Sequence, residues 1–164
     1  DKRRSYSGKN NPMYGKPSPV GSGNGWGGWY KGWYFRSLRE LSYMISVIEK
    51  KNYTWESAEK KQYAIRYINH DGKERTYRAD FIIEKKILIE IKPEPLMSIP
   101  TNILKKEAAI EFCEKTGLEY RMIDVKILDT DVIASLFYEG KIKFNRTTKE
   151  KMEKFLCKLM KKKK

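Results

Sequence analysis

The stretch that most constrains this chain runs from Asp80 to Lys92, where two dense apolar runs are joined by a short charged turn. Strand side chains alternate between faces, so Glu90 and Lys92 point to one side of a strand while Ile89 and Ile91 point to the other. If the two runs pair as a hairpin, Asp80 approaches Glu90 from the neighbouring strand. The sequence therefore predicts a hairpin that brings two carboxylates and one ammonium group together.

The charged residues of this hairpin have two interpretations. They can simply line the solvated face of an antiparallel sheet. Against this, the runs over residues 81–83 and 87–91 are almost wholly apolar, which is typical of strands covered on both faces. A carboxylate on such a strand needs a metal ion or a lysine as partner, because an isolated buried charge is costly. Such a group of residues can hold a divalent metal and a water beside a phosphate.

The excess of basic side chains points to a polyanionic partner. The chain has 164 residues, with 35 lysines and arginines against 21 acidic residues, which gives a net charge of +14. This length suits one domain with its own core. The charge favours nucleic acid as the partner, with an anionic membrane surface as the second choice. No segment approaches the roughly 20 apolar residues of a membrane span, so we expect a soluble protein with no membrane partner.

Cysteine and histidine usage indicates the compartment and argues against zinc. Cys113 and Cys157 fall inside helix-like patterns, which favours buried thiols over a disulfide and predicts a reducing compartment. The first residues contain no apolar core of a signal peptide, so we expect a cytoplasmic protein. A single histidine without a Cys-x-x-Cys pair argues against a structural zinc site.

The remaining pattern predicts an α+β order of elements. Ser37 and Glu40 form a capping box at the start of a helix. Asp71 and Gly72 are a hairpin turn signal, and Gly117 marks a helix end. The expected order is a helix, three or four antiparallel strands, a helix, a strand and further helices, with a mixed sheet if the last strand joins it. The predicted strands cover residues 53–56, 63–69, 75–83, 87–91 and 119–125, and the later helices cover residues 101–116, about 130–138 and about 148–160.

The motif and the element order together resemble the PD-(D/E)XK, or restriction-endonuclease-like, nucleases. Their signature is an Asp on one strand, then an acidic residue, any residue and Lys on the next. Asp80, Glu90 and Lys92 match it, and Ala79 stands where the signature has Pro. Many members add a carboxylate on the helix before the sheet, a position that maps onto Glu40. The resemblance covers about residues 33–125 and implies a central mixed sheet flanked by helices.

This resemblance implies metal-dependent hydrolysis of a phosphodiester. Asp80 and Glu90 would ligate Mg²⁺, for which Mn²⁺ can substitute, and the backbone carbonyl of Ile91 would be a further ligand. The metal would neutralise charge on the phosphate and help activate water. Lys92 would orient or deprotonate that water, or stabilise the transition state. Glu40 has two roles that do not exclude each other: the capping glutamate of its helix, or a catalytic carboxylate facing the metal.

Basic residues beside the motif are candidates for DNA contact. Arg78 shares the predicted strand with Asp80, and it either contacts a phosphate or pairs with a carboxylate. Lys105 and Lys106 lie in the first turns of the helix that follows the motif. In the family a basic residue there often faces the site, and the alternative is a solvated first turn.

The amino-terminal segment from Ser7 to Pro19 has neither a strand period nor a helix period. It resembles a short modular DNA-binding motif found on phage and intron-encoded homing endonucleases; the alternative is a disordered tail. Its lysines would meet phosphates and its asparagines base edges. The aromatic residues from Trp26 to Tyr34 either stack on unpaired bases or pack on the core. The DNA-binding candidates of this arm are Lys9, Asn10, Asn11, Tyr14 and Lys16.

We therefore predict a Mg²⁺-dependent endodeoxyribonuclease of a phage or mobile element, of homing type, acting on double-stranded DNA in the cytoplasm of a bacterial or phage-infected cell. The alternative is a non-catalytic basic DNA-binding protein on a degenerate nuclease scaffold. Since one active site cuts one strand at a time, double-strand cleavage needs a homodimer or two sequential cuts. The predicted organisation is a DNA-binding arm and linker over residues 1–32, a nuclease domain over residues 33–160 and a basic tail over residues 161–164.

Overall fold

A computed structural model describes residues 26–145, 149–154 and 157. Its centre is a four-stranded mixed sheet with the order β3-β6-β7-β8, in which β7 and β8 run parallel and the other neighbours run antiparallel. The strand after the long helix therefore joins the sheet as predicted, and the fold class is α+β. The strands of this sheet are β3 (Trp55–Ser57), β6 (Phe81–Ile83), β7 (Ile87–Ile91) and β8 (Glu119–Ile123).

The predicted hairpin from Asp80 to Lys92 is present as β6 and β7, which pair with Phe81 opposite Ile89. Its two faces enter two separate apolar clusters. Phe81, Ile83, Ile89 and Ile91 are buried on one side, whereas Ile82 and Leu88 are fully buried on the other. Strands covered on both faces explain the dense apolar runs in the sequence.

Helices cover the two sides of this sheet. On one side lies α1 (Leu38–Tyr43), which continues as a π-helical segment, Met44–Glu49, and buries Leu41, Met44 and Ile48. On the other side lies α3 (Pro100–Thr116), which buries Ala109 and Cys113 and ends at Gly117 with a left-handed φ of 70°. Glycine adopts this conformation without the steric cost of a Cβ atom, as the sequence predicted. A short helix, α2 (Glu94–Met97), precedes α3, and α4 (Thr130–Tyr138) follows β8.

The strand predicted over residues 75–83 is broken. Its first part is β5 (Glu74–Tyr77), which pairs with β4 (Ile65–Ile68) in a separate two-stranded sheet. Its second part is β6, and residues 78–80 between them are not strand. The sequence shows no breaker at this point; pairing with β4 on one side and with β3 and β7 on the other divides the run. Gly72, with a φ of 73°, forms the predicted turn between β4 and β5.

The aromatic stretch before Ser37 is a folded hairpin. Strands β1 (Gly28–Tyr30) and β2 (Trp33–Phe35) pair with each other, and β1 also pairs with β9 (Ile142–Phe144) from the other end of the chain. Gly28 is needed there, because a Cβ at this position would lie 2.4 Å from the carbonyl oxygen of Lys143. Of the two alternatives for the aromatic residues, packing on the core applies to Trp26, Tyr30 and Phe35. Strand β1 precedes the domain boundary that we placed at residue 32.

The last helix and the two cysteines lie outside the strands of the main sheet. Residues 149–154 and 157 are helical, while the proposed caps Thr147 and Thr148 lie outside the described residues. Both cysteines are free thiols. Cys113 is buried as predicted, and burial raises the pKa of its thiol to about 11. Cys157 is exposed, which corrects the prediction that it is buried.

Candidate active site

The β6–β7 hairpin holds Asp80 against the backbone of β7. The Asp80 N–H donates to the Ile89 carbonyl at 3.0 Å, and the Asp80 carbonyl accepts from Ala58 N–H at 3.1 Å. Its side-chain Oδ2 accepts from the N–H of Ile91 at 2.7 Å. Asp80 therefore lies just before β6 rather than within the strand, and its carboxylate sits beside the peptide that was predicted to supply a backbone ligand.

The carboxylate of Glu90 is buried and contacts Lys92 and Tyr77. Only 6% of its surface is exposed, so the interpretation as a solvated sheet face is wrong for this residue. Its Oε1 lies 2.9 Å from the Lys92 ammonium, and its Oε2 accepts from the Tyr77 hydroxyl at 3.0 Å. The Tyr77 oxygen is also 2.9 Å from the hydroxyl of Tyr120. A buried carboxylate with one cation and one hydroxyl as partners avoids the cost of an isolated charge.

Glu40 caps its own helix. The Glu40 N–H donates to Ser37 Oγ at 3.2 Å, and the Ser37 hydroxyl donates to Glu40 Oε1 at 3.0 Å. Its Oε2 accepts from the backbone N–H of Arg36 at 2.9 Å. The capping role is therefore present, and it is compatible with a role at the site because the same carboxylate lines a cavity with Asp80.

Burial and the charge of neighbouring carboxylates raise the pKa values of Asp80 and Glu40. The pKa of Asp80 lies well above its usual range because of burial, the charge of Glu90 and the charge of Glu40, against which the Ile91 N–H and Lys92 act. Burial also raises the pKa of Glu40, opposed by the backbone of Arg36 and the Ser37 hydroxyl. Carboxylates from α1, β7 and the start of β6 thus repel one another, which is typical of a site that receives a cation.

The cavity shared by Glu40 and Asp80 has a volume of about 160 Å³. Aromatic side chains form one part of its wall: Trp33 packs on Trp55 with ring centroids 4.7 Å apart, and Trp55 packs on Phe81 at 5.3 Å. The β1–β2 hairpin therefore contributes to the site, which the sequence did not indicate. The full lining is Trp33, Tyr34, Arg36, Glu40, Trp55, Ser57, Glu59, Asp80 and Phe81.

The donor atoms suit a hard divalent cation. Among the described residues, all buried side-chain nitrogen and oxygen atoms have a hydrogen-bond partner. Asp80 uses Oδ2 for the Ile91 N–H, and its other carboxylate oxygen remains for a further ligand. Within the same residues no three His, Cys, Asp or Glu side chains form a complete metal cluster. Mg²⁺ is commonly held by one or two carboxylates with waters and substrate oxygens, so the residues fit this metal.

A basic cleft of about 320 Å³ adjoins the carboxylates. Arg78 and Lys105 both line it, while Lys106 is exposed on α3 and is not part of its lining. Burial and the neighbouring charge of Lys92 lower the pKa of Lys105. Lys105 also lies over the ring of Tyr77, 5.6 Å from its centroid. The structure therefore brings Arg78 and Lys105 to the site and leaves Lys106 outside the cleft.

Four residues of the site were missed in the sequence. Tyr77 and Tyr120 contact Glu90 directly or through each other, and Arg36 and Glu59 line both the carboxylate cavity and the basic cleft. No spacing rule connects these residues to the motif. The DNA-binding candidates of the arm lie outside the described residues: Lys9, Asn10, Asn11, Tyr14 and Lys16.

Size alone does not identify the site. A larger groove, of about 530 Å³, lies between the end of α1 and the segment after β8, where Tyr43, Ile89 and Val125 line it. It contains none of the predicted catalytic residues. The smaller cavity is the candidate because carboxylates with raised pKa values converge there.

One family model matches the part of the chain that carries the motif. Residues 49–124 match the family model described as TnsA-like endonuclease N terminal. The resemblance to the PD-(D/E)XK nucleases is confirmed. The TnsA-like segment contains Asp80, Glu90 and Lys92 together with all four strands of the main sheet, and its fold is restriction-endonuclease-like. Glu40 and the β1–β2 hairpin precede it.

Two further observations accompany this match. No significant match to the chain was found among curated proteins or among solved structures. Within residues 26–145, 149–154 and 157, none of the helices has the length and apolar character needed to cross a membrane.

Proposed function

We propose that the chain is a metal-dependent DNA endonuclease whose reaction takes place at Asp80, Glu90 and Lys92. The observation that carries the proposal is the grouping of these residues at one end of the β6–β7 hairpin, inside the TnsA-like segment. The carboxylate of Glu40 from α1 faces the same cavity as Asp80. Charge repulsion among the three carboxylates supports a site that a cation completes.

Asp80, Glu90 and the backbone carbonyl of Ile91 would hold Mg²⁺ or Mn²⁺. When bound, the metal supplies charge neutralisation at the phosphate and a water of lowered pKa. The protein orients this site through three contacts of its own. Ile91 N–H fixes the Asp80 carboxylate, Tyr77 fixes one oxygen of Glu90, and Lys92 contacts the other.

Lys92 is placed to act on the attacking water or on the phosphate. Its ammonium is 2.9 Å from Glu90 and partly exposed, so it can reach a group bound next to the carboxylates. Lys105, whose pKa is lowered by burial and by Lys92, lies over the ring of Tyr77 in the basic cleft. We assign Lys92 to the cleaved phosphate, and Arg78 and Lys105 to the DNA backbone.

DNA as substrate follows from the family match and the charge. The matched family is one of endonucleases, and a net charge of +14 favours a polyanion. The arm with Lys9, Asn10, Asn11, Tyr14 and Lys16 would recognise the DNA site, as in a phage or mobile-element homing enzyme. A cytoplasmic location and a homodimer for double-strand cleavage belong to the same proposal.

Cleavage of supercoiled plasmid tests the proposal. The parent protein should convert plasmid to nicked or linear product with Mg²⁺ or Mn²⁺ and should not do so with EDTA. Glu90→Ala and Lys92→Ala should each abolish the reaction, while Lys106→Ala, which changes a lysine outside the cleft, should retain it. Cleavage that persists in both site variants would refute the assignment.

One observation favours the second candidate, a non-catalytic DNA-binding protein on the same scaffold. Both carboxylate oxygens of Glu90 already have protein partners, and the described residues hold no complete metal cluster. This candidate predicts salt-sensitive DNA binding without cleavage of any substrate. Binding by the parent protein with no product under Mg²⁺ or Mn²⁺ would establish it.

A further inference from the structure

Arg36 lies where two cavities meet. It lines the carboxylate cavity with Glu40 and Asp80, and it also lines the basic cleft with Arg78 and Lys105. Glu59 is the other charged residue that lines both cavities. The two residues therefore sit on the path that a nucleic-acid strand would follow from the basic cleft to the carboxylates.

Arg36 and Glu59 form a bidentate ion pair. The two guanidinium nitrogens Nη1 and Nη2 lie 2.5 Å and 2.8 Å from Oε1 and Oε2 of Glu59. The side chains are 63% and 39% exposed. A guanidinium binds a phosphate with the same two-pronged geometry that it uses for a carboxylate. An exposed ion pair contributes little to stability, so a phosphate can replace the carboxylate.

The cleft around this pair has the composition of a phosphate site. Arg36, Arg78 and Lys105 contribute three cations, and Glu59 is the one acidic residue of the described lining. The remaining lining residues are Thr76 and Tyr77. With Glu59 on Arg36, one of the three cations is neutralised and the cleft is partly closed to an anion.

We propose that Arg36, Arg78 and Lys105 form a binding site for a backbone phosphate of DNA beside the phosphate to be cleaved, and that Glu59 occupies this site until DNA displaces it. This inference rests on the proposed function, because it takes the strand at the carboxylates to be DNA. On binding, the Arg36 guanidinium exchanges Glu59 for a phosphate. Its backbone N–H keeps its bond to Glu40, so the exchange leaves the helix cap intact.

DNA affinity measured without cleavage tests this exchange. A fluorescently labelled duplex is titrated with protein in EDTA, and anisotropy reports the dissociation constant. Glu59→Gln should tighten binding about threefold to tenfold, the range expected for removing one exposed ionic competitor. Arg36→Gln should weaken binding by a similar factor and should reduce the slope of log K against log salt by about one.

Two controls separate the exchange from a general change of charge. Glu139 pairs with Lys141 at 2.7 Å outside both cavities, so Glu139→Gln removes the same charge from another exposed ion pair. It should tighten binding by less than about twofold. In the Arg36→Gln background, Glu59→Gln should have no larger effect on DNA affinity than Glu139→Gln, because the guanidinium for which Glu59 competes with DNA is absent.

Three outcomes would overturn the proposal. The first is that Glu59→Gln binds DNA no more tightly than Glu139→Gln, and the second is that the effect of Glu59→Gln persists in the Arg36→Gln background. Loss of Mg²⁺-dependent cleavage in Glu59→Gln with unchanged affinity would instead make Glu59 a part of the metal site. Because the binding assay requires no catalysis, the two affinity outcomes stand whether or not the protein cuts DNA, and failure of the nuclease proposal is detected separately by the plasmid assay.

Discussion

The β4–β5 and β6–β7 hairpins differ in whether they follow local conformational preferences. The β4–β5 hairpin turns at Gly72, which takes the positive φ the turn requires, and it carries much of its polar surface to solvent. The β6–β7 hairpin turns at Glu84 and Lys85, which both have positive φ without being glycine. It also buries Glu90 between apolar neighbours. The first hairpin agrees with local preferences, and the second departs from them at the site.

The difference shows that unfavourable conformations and burial of charge are concentrated in the hairpin that carries the candidate site. A non-glycine residue in the left-handed region and a buried carboxylate are each unfavourable on their own. In β6–β7 the cost is offset by the apolar clusters on both faces of the sheet and by bonds from Tyr77, Lys92 and Ile91. The following experiments test this contrast, beginning with the largest expected effect.

Asp80→Asn should separate activity from stability most strongly. Cleavage should fall by more than about a hundredfold, because the proposed metal-binding carboxylate is lost. Asn retains an oxygen that accepts from the Ile91 N–H, so the fold should persist. Plasmid cleavage measures the first effect and urea unfolding the second.

The same variant should be more stable at high pH. The raised pKa of Asp80 means that the folded state binds this proton more tightly than the unfolded state does. The stabilisation from that proton is complete below the unfolded pKa of about 4 and is lost as pH rises through the folded pKa. Asp80→Asn should therefore be more stable than the parent protein at pH 8 in EDTA, and this gain should shrink on acidification. A destabilised variant at pH 8 would contradict the assigned repulsion.

Leu88→Ala should destabilise the protein by about 2–5 kcal/mol, because it removes a side chain that is 0% exposed and leaves a cavity under α3. The matched change in the other hairpin is Ile68→Ala, at a residue that is 57% exposed, which should cost less than about 0.5 kcal/mol. Urea unfolding of both variants measures the contrast. Equal costs would show that the two hairpins are not packed as described.

Tyr77→Phe should reduce cleavage about tenfold through the orientation of Glu90. The change removes the hydroxyl that donates to Glu90 and contacts Tyr120, and it should cost about 1–2 kcal/mol of stability. Tyr67→Phe, at a half-buried tyrosine of β4 in the same small sheet, serves as the control. Full activity in Tyr77→Phe would remove this residue from the site.

The turns should respond in opposite directions. Lys85→Gly should stabilise the protein by about 0.5–1 kcal/mol, since it relieves the left-handed conformation of a non-glycine residue. Gly72→Ala should cost about 1 kcal/mol for the reverse reason, and no atom within 4 Å of the new Cβ adds a clash. Thermal unfolding of the two variants measures both signs.

Much of the fold and the core of the site were predictable because their signals are local. The almost wholly apolar runs over residues 81–83 and 87–91 predicted two strands covered on both faces, and the structure buries both faces. Ser37 and Glu40 lie three residues apart and predicted the cap that the structure shows. As glycines, Gly72 and Gly117 predicted a turn and a helix end. Both adopt the left-handed φ that these positions require.

Errors arose where a distant segment decided the outcome. The run over residues 75–83 is uniform in sequence but belongs to two sheets, because β4 takes its first part and β3 and β7 take its second. The sequence left two roles open for the aromatic stretch before Ser37, and its packing on the core depends on β9, which pairs with β1 from more than a hundred residues away. Cys157 was expected to be buried on a helix-like pattern and is exposed.

By itself, the sequence determined the motif, the order of the elements and the attraction for a polyanion, since these depend on residue type, spacing and net charge. Only the tertiary structure decided which groups contact each charged side chain. Tyr77 and Lys92 contact Glu90, the Ile91 N–H contacts Asp80, and Glu59 contacts Arg36. The physical reason is the distance along the chain over which each interaction acts. Strand and helix patterns are set by neighbours a few residues away, whereas the partner of a side chain depends on which surfaces the packed sheet and helices bring together.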